Sequence, residues 1–150
     1  MIDLQSLVER PGNAADSDWL WSTYKDLLRN SVEQQWGWDE FTQRAGFKTH
    51  LPAHKFTILS LHDSIVAAYC VKPYQQHMRV EMILVPKEYQ GHGVGNRIMQ
   101  SLKSAAFSQG KSITLDVIKA NPVVGFYEKL GFKRVGNANG VYSYKLEPQQ

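Results

Sequence analysis

Residues 81–95, EMILVPKEYQGHGVG, join an apolar run to an amphipathic one through a loop with glycine at 91, 93 and 95. Met82-Ile83-Leu84-Val85 has the composition of a buried strand and is stopped by Pro86. Beyond the glycines, Val94, Ile98, Leu102 and Ala105 recur at helical spacing, with Met99 and Ala106 widening the stripe. The glycines therefore fall at the start of a helix. There the first N–H groups have no partner within the helix, and the macrodipole places roughly half a positive charge, so the loop is suited to an anion. Glycine leaves those N–H groups open, because no Cβ shields them.

The spacing excludes two common phosphate binders. A dinucleotide fingerprint counted from Gly91 needs glycine where Asn96 stands, and no Gly-Lys-Ser/Thr follows any of these glycines at the spacing of a P-loop. The pattern present is Q-x-x-G-x-G from Gln90 to Gly95, and in this the segment resembles the GNAT superfamily of acyl-CoA-dependent N-acyltransferases. A second segment carries the same resemblance. Ser112 to Ile118 reads as a strand with Lys119-Ala120 as its exit, and Asn121 to Phe132 reads as a short capped helix. Asn121 suits an N-cap, Pro122 the first helical position, and Gly131-Phe132 a C-terminal stop. The family's second signature has this form, an Asn after the fifth strand followed by Tyr-x-x-x-Gly-Phe, met here by Tyr127 to Phe132. The step from Asn121 to Tyr127 is one residue shorter than in many relatives, which leaves Asn121 with two readings, a contact to the pantetheine arm or the helix cap alone.

From this resemblance follow a fold and a cofactor. The fold implied is a GNAT-like mixed α/β (α+β) sheet, mostly antiparallel, flanked by helices, with strands 4 and 5 splayed apart. The cofactor is acetyl-CoA, with CoA as product. Its pyrophosphate would lie on the backbone from Gln90 through Gly91, His92, Gly93, Val94 and Gly95 to Asn96, with further contacts from Leu84, Val85, Asn121 and Tyr127.

Composition is in keeping with one domain over residues 1–150, with 43% hydrophobic and 21% charged residues, enough for one core and too little for two. The longest apolar run, Ile65 to Val71, has strand length, and the N-terminus lacks a basic segment followed by an apolar one, so the chain reads as soluble and cytoplasmic, without a membrane partner. A net charge of +3, spread along the chain, does not indicate nucleic acid. Cys70, the sole cysteine, reads as a buried core thiol, and the five histidines lack metal-ligand spacing, so no metal is assigned.

The remaining elements follow from local signals. A first strand is expected over Met1 to Val8, then a break at Pro11-Gly12-Asn13 and a helix capped by Asp16 or Ser17 that runs to about Gln35, with Leu20, Tyr24, Leu27 and Leu28 on one face. Trp19 and Trp21 flank Leu20, and neither is expected to face the core fully. Gly37 breaks the helix, and Asp39 caps a second one toward Phe47. Strands are expected at Lys55 to Leu61, Ser64 to Val71, about Met78 to Val85, Lys133 to Val135 and Val141 to Leu146.

Acyl transfer from a thioester to an amine needs a neutral amine, a stabilised oxyanion and a proton for the leaving thiolate. Alkyl amines have ordinary pKa values near 10.4, so a base is required at neutral pH. Glu81 is the candidate. Strand alternation, without a bulge, places it on one face with Ile83 and Val85, and in several branches of the family a Glu at this point serves as base or holds a water. The resemblance gives the oxyanion to a backbone N–H of Leu84 or Val85, and sets Tyr127 beside the cofactor sulfur as the acid. The alternative for Tyr127 is a core tyrosine on a helix that also buries Phe126 and Leu130. For the acceptor, Glu33, Trp36 and Trp38 at the junction of the first two helices suggest a cage for a cationic amine; packing of both indoles on the sheet is the other reading. The expected activity is N-acetylation of a primary amine, on a small molecule, by direct transfer in a ternary complex. A protein lysine or N-terminus is the alternative acceptor, a non-catalytic acyl-CoA sensor is the alternative of another class, and a homodimer is left open.

Overall fold

The computed structural model describes residues 2–148. Seven strands form one sheet in the order β1-β2-β3-β4-β5-β7-β6: β1 (Val8–Pro11), β2 (Thr57–Leu61), β3 (Ser64–Pro73), β4 (His77–Leu84), β5 (Ser112–Ile118), β6 (Lys133–Ala138) and β7 (Val141–Leu146). All neighbours are antiparallel except β4 and β5. Four α-helices flank it: α1 (Ser17–Trp36), α2 (Glu40–His50), α3 (Val94–Phe107) and α4 (Val124–Lys129). This is the mixed, mostly antiparallel α/β arrangement that the sequence implied, and β5 has the expected bounds.

Two apolar layers hold the helices to opposite faces. On one, Val94, Ile98, Met99, Leu102 and Ala106 of α3 and Tyr127 of α4 pack on Val80, Ile113, Leu115, Val117 and Tyr144. On the other, Leu20 and Trp21 of α1 and Phe47 of α2 pack on Ile58, Ala68, Cys70 and Leu84. Ala105, which the spacing put on the buried stripe, is exposed. Trp21 is 6% exposed and stacks on Tyr24 and Trp38, so it enters the core more fully than its position beside Leu20 suggested, while Trp19 is half-buried.

Several expected boundaries are corrected. The first strand is Val8–Pro11, not Met1 to Val8: the Asp3 carboxylate accepts the Gln5 N–H and starts a 3₁₀ turn over Leu4–Ser6. Met1 lies outside the described residues. Pro11, read as a break, ends this strand because β1 is an edge; Gly12 N–H already donates to Phe56 C=O, so the adjacent Pro11 nitrogen points away from β2. Asp16 stands at the N-cap of α1, one of the two positions expected, but its carboxylate makes no bond to that helix: it accepts from Asn13 N–H and holds Arg10 at 2.8 Å, while Asn13 caps the preceding 3₁₀ turn Ala14–Asp16 by accepting from Ala15. Residues Ala53–Lys55 form a 3₁₀ turn after Pro52, which delays β2 to Thr57. Finally α4 starts at Val124; Asn121 caps only a tight turn, accepting from Val123 N–H at 3.0 Å. Its C-terminal stop is as expected: Gly131 has φ +98°, and the N–H groups of Gly131 and Phe132 return to Glu128 and Tyr127.

Candidate active site

The parallel pairing of β4 with β5 extends only over His77↔Ser112, Met78↔Ile113 and Arg79↔Thr114. Past these rungs β4 stays paired with β3 through Leu84, and β5 with β7 through Ile118, so the two strands separate and leave backbone polar groups facing a gap. At the β4 exit Lys87–Tyr89 make one 3₁₀ turn, and the Gln90 side-chain amide donates to Val85 C=O at 2.8 Å. This bond ties the loop to the strand and satisfies the last carbonyl before Pro86.

Gly91 and Gly93 have φ of +79° and +85°, a region that side chains rarely adopt, and α3 begins immediately after. After Gln90, whose N–H returns to Lys87 C=O, the next N–H with a backbone acceptor is that of Arg97, bonded to Gly93 C=O; those of residues 91–96 have none among the described residues. Gln90, Gly91, His92, Gly93 and Asn96 are exposed, so the loop is open to solvent. A Cβ at Gly91 would meet nothing within 4 Å. The result is a concave set of amides at a helix N-terminus, which can hold a diphosphate. Val94 is 1% exposed and Leu84 fully buried, so either can offer a ligand only its backbone.

Tyr127 lies in the α3/α4 layer, in one apolar cluster with Val94. Phe126, its neighbour, packs on the first turn of α3, with its ring 3.4 Å from a Cβ built at Gly95. The Tyr127 ring makes edge contacts to Phe126 and Phe132 at 5.2 and 5.7 Å, and burial pushes the phenol up to about 12. Among the described residues no side chain pairs with its hydroxyl, and no buried side-chain oxygen or nitrogen there lacks a partner, so that hydroxyl is not fully enclosed.

Glu81 is placed by a feature that the sequence did not reveal. Cys70 pairs with Met82 and Val71 with Val80, which makes Glu81 the extra residue of a β-bulge. The bulge reverses the alternation: Met78 and Val80 pack on the α3 layer, Met82 and Leu84 on the α1/α2 layer, and Ile83 and Val85 on the α3 layer again. Glu81 is thus separated from Ile83 and Val85, contrary to the simple alternation, and its Oε1 accepts from Cys70 Sγ at 3.6 Å on the α1/α2 side. Cys70, as expected, is a core thiol, 1% exposed and pushed up to about 12 by burial and then by Glu81. On the same face, Arg79 and Asp116 form an ion pair of 3.1 Å across the last rung.

The acceptor candidates divide. Trp38 stacks on Trp21 at 6.1 Å, has the Arg29 guanidinium 5.6 Å from its ring centre, and donates its N–H to Glu40, so it serves helix packing. Glu33 is 3.9 Å from Arg29, and Trp36 is 55% exposed. Two surface cavities lie away from the glycine loop. One of about 330 Å³ is bordered by Arg10, His54 and Thr57, and one of about 560 Å³ by His77, Ser112 and Thr114. No group of metal-binding side chains occurs among the described residues, and no helix there is long and apolar enough to cross a membrane.

The family described as Acetyltransferase (GNAT) domain matches residues 26–142. A search of curated proteins returns no match. Among solved structures, the chain is similar to the PaiA N-acetyltransferase from Thermoplasma acidophilum in complex with coenzyme A, at 14% identity and TM-score 0.77, over 95% of this chain and 99% of that one. It is also similar to an acetyltransferase from Thermus thermophilus, at 16% identity and TM-score 0.74, over 97% and 99%. The Arabidopsis thaliana Naa50 in complex with the bisubstrate analogue CoA-Ac-MVNAL is a third, at 16% identity and TM-score 0.66, over 93% and 97%. At these identities the likeness concerns the fold.

Proposed function

Because the chain belongs to the GNAT acetyltransferase family, we propose that it is an N-acetyltransferase that moves an acetyl group from acetyl-CoA to the primary amine of a small molecule, within one domain and by direct transfer. The observation that carries this reading is the loop of unpartnered N–H groups at 91–96, set beside the gap that opens after three parallel rungs. Acetyl-CoA supplies a thioester, a diphosphate and an extended amide-bearing arm. The loop amides would hold the diphosphate, and the free backbone edges of β4 and β5 suit the arm. Glu81 stands on the opposite face of the sheet from Tyr127. That arrangement supports a base and a hydroxyl that act from the two sides of the sheet. Glu81 would take the amine's proton, directly or through a water, and a backbone N–H of Leu84 or Val85 would face the developing oxyanion.

A small acceptor is supported at the junction of α1 with the β6–β7 turn. A Cβ at Gly140 would lie 2.8 Å from Gln35 Cγ, so the end of α1 touches the Asn139-Gly140 turn. A lysine-bearing chain would need an open groove where these two elements meet. Of the residues at the α1–α2 junction, Trp36 is the exposed indole and the one we assign to the acceptor.

The test is thermal unfolding with and without acetyl-CoA, followed by thiol release with a panel of amines. At 100 times its dissociation constant the ligand stabilises by about 2.7 kcal/mol, which for 150 residues is roughly 5–10 °C. A shift of that size with amine-dependent thiol release is expected. A shift without turnover for any amine or peptide would make the chain an acyl-CoA sensor, and no shift at millimolar acetyl-CoA would remove the cofactor site.

A further inference from the structure

We propose that Cys70 is a positioning residue for Glu81: its S–H holds one carboxylate oxygen at the bulge and leaves the other for the acceptor amine, an inference that rests on Glu81 as the base. Three observations converge on the pair. Glu81 is the unpaired residue of the β3–β4 bulge, so neither the ladder nor a cross-strand neighbour fixes its side chain. Cys70 Sγ lies 3.6 Å from Glu81 Oε1, and among the described residues no other side chain bonds to Glu81. Cys70 itself is set among Ile58, Ala68, Leu84 and Phe56, an apolar setting that leaves the Glu81 carboxylate as the partner of its one donor. A thiol behaves there as a small hydrophobe that still carries one weak donor. It orients the carboxylate without neutralising it, as a lysine or arginine at this point would.

The chemistry of the transfer fits this arrangement. A base must be within hydrogen-bond reach of the proton it takes. A carboxylate free to rotate on a bulge would spend much of its time elsewhere, and holding one oxygen confines the other. Cys70 touches no substrate in this scheme and acts only through Glu81.

The experiment is a double-mutant cycle on the full chain, with Cys70→Ala and Cys70→Ser each made in the native and the Glu81→Gln backgrounds. In the native background Cys70→Ala should lower kcat about tenfold with acetyl-CoA KM unchanged, and Cys70→Ser, which keeps a donor, should restore most of it. In the Glu81→Gln background Cys70→Ala should cost less than twofold. Equal losses in both backgrounds, or no loss in either, would overturn the positioning role. Full turnover by Glu81→Gln alone would instead remove Glu81 as base. A vibrational measurement holds even where Glu81→Gln is too slow to assay. Cys70 is the chain's one cysteine, so its S–H stretch is a single band. The band should rise in frequency in Glu81→Gln, and an unmoved band would show that the thiol does not bond the carboxylate.

Discussion

At the residue scale, the environment of Tyr127 decides what kind of acid it can be. Burial pushes its phenol up to about 12, while the leaving thiol has an ordinary pKa near 8.5. Complete proton transfer between the two runs uphill by roughly 4–5 kcal/mol. Tyr127 is therefore better suited to donate a hydrogen bond to the developing thiolate than to give up its proton, which solvent can supply later. A hydrogen bond to a charged group contributes about 1.5–3 kcal/mol, or roughly 10–150-fold in rate. Tyr127→Phe should lower kcat within that range, with little change in acetyl-CoA KM. The native enzyme should show no alkaline loss of kcat assignable to this hydroxyl up to about pH 11, since it stays protonated there. Full turnover by Tyr127→Phe would return the residue to the core role that its contacts with Phe126 and Phe132 also allow.

At the scale of elements, the turn from β4 to α3 explains both what the sequence disclosed and what it withheld. Strong, local and periodic signals were readable: β5, the buried stripe of α3 apart from Ala105, and the Gly131 stop all lie where residue pattern alone put them. Features set by a neighbouring strand were not. Nothing within residues 77–85 marks Glu81 as the bulged residue, because the extra step exists only relative to Cys70 and Val71 across the ladder. Likewise Pro11 ends an edge strand that only its pairing with β2 identifies. The same turn gives a cleaner test than substitution at Gly93, where φ is +85° and a Cβ would press on Leu4 at 3.2 Å. Gly91 is equally left-handed but open on all sides. Gly91→Ala should cost about 1–2 kcal/mol of backbone strain, a Tm loss of a few degrees, while its methyl intrudes on the amide cradle. Calorimetric titration should find acetyl-CoA affinity reduced at least tenfold in a folded protein. Unchanged affinity would move the diphosphate away from this loop.

At the scale of the whole molecule, three weak acids, one thiol and two phenols, act in one direction. Tyr69, Cys70 and Tyr127 are each pushed up to about 12, chiefly by burial, with Glu9 adding to the effect on Tyr69 and Glu81 to that on Cys70. In the unfolded chain the same groups ionise near their ordinary values of about 9 to 10. Below pH 9 both states hold these protons and stability is undiminished. Between about pH 9 and 12 the unfolded state releases them first, binds fewer protons than the native state, and unfolding becomes easier with each rise in pH. For Tyr127 a difference of about two pKa units corresponds to roughly 2–3 kcal/mol by pH 12, and Tyr69 and Cys70 add in the same direction. Thermal unfolding should therefore give a Tm nearly level from pH 7 to 9 and a steep fall from pH 10 to 12. Tyr127→Phe should flatten part of that fall while changing the pH 8 midpoint little, because among the described residues the lost hydroxyl has no partner. A native Tm that stayed level to pH 11 would mean that these groups ionise in contact with water, and that the layer around Tyr127 is open enough to weaken its proposed place beside the sulfur.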